Sequence, residues 1–440
     1  MIGSSSTLMF HSLHYLPMMC NGEAGAGAST AAASSSSSSI SNGGIHPLEQ
    51  AKENRLQADK QMKNQEWKGA GMIEQQPGEW PKWINENYDP EAPFANLPPP
   101  PDLAPGDSFA ACLKIKDDNH WLIEWLAYHY FVMPLRHIIV TIDEDSKTTP
   151  RKIFRRWSSR KMMNITYWTD KDYMPKKITA TAADFENNTG LMMHRVRQNN
   201  FYRTCIPALR DMGLNWLMLV DTDEYILPSY ASGYFSNLTE RVSFRKPGSV
   251  MRLLKYQEMV APDVNHTCVY MPRFFFGAQD SKQSLVDHGV PPSINASNML
   301  TQRYLYREPR KHANGKNLMH LQRVPAIKKF MSVHHVSTHA CPDPKTMVNK
   351  DLNRVSIARV HHYLGSPEQY LYREDPRGND HANASVKTYH TRGLDRWDKL
   401  NKKADHEDHA AKAWIRGFVK EMGEELAADL LEGVGVTGVE

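Results

Sequence analysis

The stretch NWLMLVDTDEYILP, residues 215–228, decides how the rest of this 440-residue chain is read. Five apolar residues, Trp216 to Val220, run straight into Asp221, Asp223 and Glu224. A strand apolar on both faces belongs in the middle of a parallel sheet covered by helices. In open α/β sheets ligands sit beyond the carboxyl ends of the strands, and both aspartates fall at such an end. Alternation along an extended backbone puts Asp221 and Asp223 on one side and turns Thr222 away. Two adjacent carboxylates repel and resist desolvation. A divalent cation relieves that cost, and hard oxygen ligands suit Mn²⁺ or Mg²⁺. Charge neutralisation at such a place favours departure of a diphosphate. Glu224 is placed to orient a ligand or to bond a backbone amide. A D-x-D by itself is more often a solvated turn; the apolar flanks on both sides set this one apart.

Outward from this point, strands and helices alternate. SFAACLKIK reads as a strand, and DNHWLIEWLAYHYF as a helix with Trp121, Leu122, Trp125, Leu126 and His129 on one face. Asp118 is placed as its N-cap. HIIVTID (137–143) and MNITYWT are further strands, separated by a helix over TPRKIFRRWSSR. A long helix is expected over about 190–212. SVMRLL and CVYMPRFFF follow as shorter strand-like pieces of an α+β extension of the same sheet. Near the end, Trp414, Phe418, Met422, Leu426 and Leu430 recur every fourth residue and predict one amphipathic helix packed on the domain.

Residues 1–44 are low complexity and cannot bury a core, so they are expected to be disordered. Residues 45–107 read as a charged stem, with Trp67, Trp80 and Trp83, ending in the stiff proline-rich linker NLPPPPDLAPG. The catalytic domain is expected over 108–400 and the terminal helix within 401–440. A formal net charge of +4 is too small to argue for nucleic acid. No run of 18 apolar residues is present, and TLMFHSLHYLPMMC is a poor signal peptide. Membrane association would therefore rest on a weak or missing N-terminal anchor. Four of the five cysteines (Cys112, Cys205, Cys268, Cys341) lie in the domain; two disulfides and buried free thiols are both compatible with this. Sequons begin at Asn164, Asn187, Asn237, Asn265, Asn295 and Asn383 and lean towards a glycoprotein of the secretory lumen, the Golgi included.

The motifs extend beyond D-x-D. KIKDDNHWLIEWLAYHY resembles the opening signature of glycosyltransferase family 92 and its neighbours in family 2, with Lys116, Asp117, Glu124, Trp125, Leu126 and His129 at the matching positions. The segment 197–228 resembles that family's stretch ending in W-x-x-x-x-D-x-D-E-F, with Tyr225 in place of Phe. KNLMHLQRVPAIKKFMSVHH and VHHYLGSPEQYLYREDPRG are similar to its later segments. The resemblance implies the GT-A fold, an α/β mixed sheet flanked by helices. It also implies a nucleotide-diphospho-sugar donor, a glycan acceptor and usually Mn²⁺. The metal ligands it implies are Asp221, Asp223 and a histidine, for which His334 and His362 are candidates beside His335 and His361. In such enzymes an aspartate-rich turn follows the second strand. DEDSKT keeps Asp143, Asp145 and Ser146 but has Thr148 where the last Asp would stand, which leaves the nucleotide's identity open. Asp143 remains a candidate for a base or ribose contact, or else a helix cap. Lys116, Lys316 and Arg373 are further candidates for binding the donor.

If the reaction inverts the anomeric centre, a carboxylate must take the acceptor's proton. Asp280 and Glu308 are the candidates. The expected activity is transfer of a hexose, galactose among the options, to a glycan hydroxyl. A catalytically inactive glycan-binding module on the same fold is the alternative. A nucleotidyltransferase would want a glycine-rich phosphate loop after the first strand, and KIKDDNHW has none. HEDH, residues 406–409, is one residue short of a zincin motif.

Overall fold

A computed structural model describes residues 101–175, 189–229, 243–260, 267–279, 290–310, 312–324, 329–332, 335–337, 341, 356–373 and 393–439. All belong to one compact unit spanning Glu79–Glu440. The expected disordered tail and most of the stem lie outside the described residues, as do Asp280 and His334.

The first half alternates as its hydrophobic pattern requires. Strand β1 (Phe109–Ile115) leads to helix α1 (Asn119–Val132), β2 (Leu135–Ile142), α2 (Arg151–Ser158) and β3 (Asn164–Trp168). The short α3 (Asp170–Tyr173) and the long α4 (Thr189–Asp211) precede β4 (Trp216–Met218) and β5 (Glu224–Pro228). β3, β2, β1 and β4 are adjacent and parallel in that order. β4 is central, as its two apolar faces demand, but its second neighbour is antiparallel.

The second half is less regular. SVMRLL opens helix α5 (Ser249–Val260) rather than a strand. Val250, Met251, Leu253 and Leu254 are all buried, and a helical spacing lets them share a face that alternation would split. β6 (Cys268–Phe276) carries Pro272, and its register with β8 shifts between Met271 and Arg273. Proline has no N–H to donate to a ladder, so such a shift is where it is tolerated. Then come α6 (Leu300–Arg303), β7 (Tyr306–Arg307), β8 (His312–His320), and the separate antiparallel pair β9 (Lys329–Ser332) and β10 (His335–Ser337). β11 (Ala358–Tyr363) enters between β5, to which it is antiparallel, and β6, to which it is parallel. The chain closes with α7 (Pro367–Tyr372), α8 (Leu394–Asn401), β12 (His406–Glu407), α9 (Trp414–Met422) and α10 (Glu424–Leu430). The result is a ten-stranded mixed sheet flanked by helices.

The predicted terminal helix is two. Gly423, at φ 80°, stops α9, because that backbone angle strains any L side chain. Trp414, Phe418 and Leu430 still reach the core, and Trp414 and Phe418 cover the far side of α1 against Tyr128 and Phe131. For that reason α1 is buried nearly all round, where the sequence pattern showed only one apolar face. Two disulfides, Cys112–Cys205 and Cys268–Cys341, cross the sheet and its surroundings. Among the described residues no helix is long and apolar enough to cross a membrane.

Candidate active site

Asp221 and Asp223 lie in a turn between β4 and β5, closed by the bond from the Glu224 N–H to the Asp221 carbonyl at 3.0 Å. The strand ends at Met218, so the expectation that alternation aligns the two carboxylates fails. The turn divides them instead. Asp221 keeps nearly half its side chain in solvent, whereas Asp223 is buried. Glu224 begins β5 wholly enclosed. Its carboxylate accepts the backbone N–H of Asp221 at 2.9 Å and so holds the turn from within.

Two cations make that enclosure possible. Lys316 on β8 places Nζ 2.8 Å from Glu224 and 3.1 Å from Asp221. Arg273 on β6 donates from Nη1 to the other oxygen of Glu224 at 2.9 Å. Burial works against the Lys316 charge, but the flanking Asp221 and Glu224 outweigh it and raise its pKa. Lys316 therefore neutralises the acids of the turn from inside the sheet; it was expected at the donor's phosphates. Arg273 escaped the sequence reading, although a lone charge in CVYMPRFFF is a signal of a buried partner.

Asp223 meets a histidine. β11 pairs with β5 so that His362 lies opposite Glu224, and the Tyr363 N–H bonds the Asp223 carbonyl at 2.9 Å. This brings His362 Nε2 to 3.4 Å from Asp223 Oδ2. Among the described residues, Oδ1 of Asp223 is buried with no hydrogen-bond partner. Burial pushes the Asp223 carboxyl up, yet His362, and beyond it Arg373, draw it below the usual value. His361, one residue earlier, points to the other face and packs on Phe276 with ring centroids 4.2 Å apart. Alternation thus separates the two histidines: burial holds His361 neutral, far below its ordinary pKa, away from the acids. His335 contributes backbone to β10; its side chain is outside the described residues.

Asp143 sits at the carboxyl ends of β1 and β2, the same edge of the parallel strands at which Asp221 and Asp223 follow β4. Lys114 reaches Asp143 at 3.1 Å, and Asp143 Oδ1 accepts the Asp145 N–H at 3.3 Å. Burial alone would raise the Asp143 carboxyl, but Lys114 and, less strongly, Lys116 pull it down. Lys116 itself is 4.0 Å from Asp145. Thr148, where an aspartate was looked for, uses its backbone N–H on Asp117 Oδ1 at 3.2 Å.

Other motif residues are structural supports. Glu124 accepts the N–H groups of Leu300 and Thr301 and the Thr301 hydroxyl, and so holds the start of α6. Burial raises its pKa to about 7. His129 bonds the Trp125 carbonyl through Nδ1 at 2.9 Å and takes the Ile226 N–H on Nε2 at 3.5 Å, fastening α1 to β5. Asp118 stands before α1, but its carboxylate makes no cap bond; both oxygens bind Arg373, at 3.0 and 3.1 Å. Glu308 continues a row across the sheet. Glu224 faces His362, His362 faces Phe275, and the Glu308 N–H bonds the Phe275 carbonyl at 2.8 Å. Residues in one such row share a face, and two strand spacings put Glu308 roughly 10 Å from His362.

The model of glycosyltransferase family 92 matches residues 107–363, more than half of the chain. The chain belongs to glycosyltransferase family 92. The matched span begins at β1 and ends at the last residue of β11, so it encloses both aspartates and His362. Among curated proteins nothing matches. Among solved structures, that of S. aureus TarS 1-349 in complex with UDP is similar over 67% of this chain and 69% of that one, at 10% identity and a TM-score of 0.24. As a member of family 92 the protein is a glycosyltransferase with an α/β mixed sheet flanked by helices.

Proposed function

We propose that this family 92 member is a metal-dependent hexosyltransferase that uses a nucleotide-diphospho-sugar and a glycan hydroxyl. The observation that carries the reading is the Asp223 carboxylate: buried, with Oδ1 unpartnered among the described residues and His362 beside Oδ2. A buried carboxylate oxygen without a partner is costly, and a bound cation would satisfy it. Asp223 and His362 would hold Mn²⁺ or Mg²⁺, with Asp221 turned to solvent beside them. When bound, the cation neutralises charge that develops on the leaving diphosphate.

The chain's own residues prepare that place. Lys316 and Arg273 fix Glu224, and Glu224 fixes the turn. Asp143, with Lys114 and Lys116 nearby, offers a carboxylate to a ribose or base at the same carboxyl edge of the parallel strands. Glu308 is the candidate base for the acceptor hydroxyl, since it shares the His362 row and burial raises its pKa towards neutrality. The two disulfides and the exposed sequon residues Asn164 and Asn295 support a secretory-lumen site of action.

A catalytically silent glycan-binding module has one observation in its favour. Among the described residues no three His, Cys, Asp or Glu side chains are grouped to hold a metal ion. One assay separates the two readings. Hydrolysis of UDP-sugars with Mn²⁺ present and absent should be metal-dependent in the wild type and fall about 10²-fold or more in Asp223→Ala. Binding of glycan without any donor turnover across a panel of sugar nucleotides would favour the silent module.

A further inference from the structure

Helix α8 lies beyond the span matched by family 92, which ends at residue 363, yet it is fastened across two strand ends of the site. β6 is antiparallel to β8, β8 is antiparallel to β4, and β11 is parallel to β6. The carboxyl ends of β6 and β11 therefore share the edge at which Asp221 and Asp223 follow β4. At the β11 end, the Trp397 indole N–H donates to the carbonyl of Gly365, three residues past His362, at 3.0 Å. At the β6 end, Asn401 Oδ1 accepts the Ala278 N–H at 2.6 Å, and Gln279 Nε2 donates to the Asn401 and Ala404 carbonyls at 3.2 and 2.9 Å. Gly277 permits that approach, since a Cβ there would lie 2.6 Å from Ala404 Cβ and 2.7 Å from Asn401 Oδ1.

The inner side of α8 rests on the face that carries His362. Phe275 packs edge-on against the His362 ring, with centroids 5.4 Å apart. Phe275, Leu364 and Tyr370 form a buried cluster, and Trp397 and Leu400 pack against it. The Glu308 N–H bonds the Phe275 carbonyl, so the same cluster borders the candidate base. Leu394, Trp397 and Leu400 recur every third residue and form one stripe of the helix. Trp397 and Leu400 are half-buried, whereas Leu394, at the outer end of the stripe, is 59% exposed. Leu371 on the adjoining α7 is exposed as well. The indole thus stands where a packed apolar stripe opens to solvent beside the row of His362 and Glu308. Apolar surface next to a few convergent polar groups is the make-up of a ligand site.

We infer that Trp397 is the platform for the acceptor: one ring of a saccharide lies with its C–H face on the open part of the indole and turns its hydroxyl edge to the row of His362 and Glu308. A pyranose has an apolar face and a polar rim, and an aromatic surface beside a carboxylate and an imidazole matches both. The order of strands assigns this place to the acceptor rather than to the nucleoside. Asp143 follows β2, on one side of β4, whereas β6 and β7, with Phe275 and Glu308, lie on the other side. The inference rests on the proposed reading as an enzyme that acts on a glycan hydroxyl. It divides the work along the chain. The matched span supplies the acids and the candidate base, and the segment after it supplies the surface that selects the acceptor.

Calorimetric titration of the full chain tests it, with Mn²⁺ present throughout, first with UDP and then, at saturating UDP, with cellotetraose, mannotetraose, chitotetraose and β-1,4-galactotetraose. The wild type should bind UDP and at least one of these saccharides. Trp397→Leu keeps apolar packing on the Phe275 cluster but has no flat face. It should weaken the saccharide about 10- to 100-fold and change UDP by less than about threefold. Trp397→Tyr restores a ring and should recover saccharide binding to within about fivefold of the wild type. Leu394→Gln alters an exposed residue, so it serves if Trp397→Leu does not fold, and it should cost about threefold on the saccharide alone. Equal losses on saccharide and UDP would mark a merely structural tryptophan and overturn the assignment. Unchanged saccharide binding in Trp397→Leu, or a wild type that binds UDP but none of the saccharides, would overturn it too. A wild type that binds no UDP would instead remove the donor reading, and a saccharide affinity lost in Trp397→Leu would still place the ring on the indole.

Discussion

Lys316 Nζ lies 2.8 Å from the Glu224 carboxylate, and solvent reaches neither side chain. An ion pair so enclosed survives only because its members also bond elsewhere: Lys316 to Asp221 and Glu224 to Arg273 and the Asp221 N–H. Removing one partner of a buried pair leaves the other charge uncompensated, which costs on the order of 3–5 kcal/mol. Lys316→Met should therefore lower unfolding free energy in urea by about that amount. The double variant Lys316→Met/Glu224→Leu should lose less than the single one. A single variant within about 1 kcal/mol of wild type would show that the enclosure contributes little.

The buried imidazole of His129 sets an acid limit. Burial lowers its pKa to about 3, against an ordinary 6.5, despite its bond to the Trp125 carbonyl. The unfolded chain therefore takes up this proton first. Stability from the group is complete above about pH 6.5 and declines as pH falls towards 3, with a slope of about 1.4 kcal/mol per pH unit for one proton. His129→Phe should start from a lower plateau, since the Ile226 N–H loses its acceptor. Between pH 6 and 4 its urea-derived stability should fall less steeply than that of the wild type; parallel slopes would contradict the assignment.

The disulfides close long loops, with sequence separations of 93 and 73 residues. Constraining the unfolded chain over loops of that size stabilises by about 4 kcal/mol each in the chain-entropy description. Replacing Cys112 and Cys205 together by alanine should lower the stability by a few kcal/mol, and a reducing agent should sensitise the wild type in the same direction. Non-reducing peptide mapping should recover the Cys112–Cys205 and Cys268–Cys341 pairs; free thiols at these four positions would refute them.

Glu308 should separate transfer from donor binding. If it takes the acceptor proton, Glu308→Gln lowers kcat for transfer by about 10²- to 10⁴-fold and leaves the donor KM nearly unchanged. A rise in donor KM with an intact kcat would move Glu308 out of the reacting centre and into donor binding.

Much of this was legible in local pattern. Alternation and turn residues placed β1, β2, β3 and the long α4, and the apolar run into Asp221 placed the acids at a strand end, because a strand or helix advertises its period within ten residues. Asp118 shows where that reading fails. Before a helix an aspartate is a cap by default, and only an arginine 255 residues away makes it something else. Lys316 shows the same, since nothing near it in sequence says that its charge belongs to acids on a central turn 95 residues earlier.

By itself, then, the sequence determined the elements of the first half, the family and the strand end that carries the carboxylates, since each depends on neighbours along the chain. Tertiary structure decided the pairings: His362 with Asp223, Arg273 and Lys316 with Glu224, Arg373 with Asp118. The physical reason is that charges choose partners by distance in space, and the insertion of β11 between β5 and β6 sets those distances through a crossing that no local period encodes.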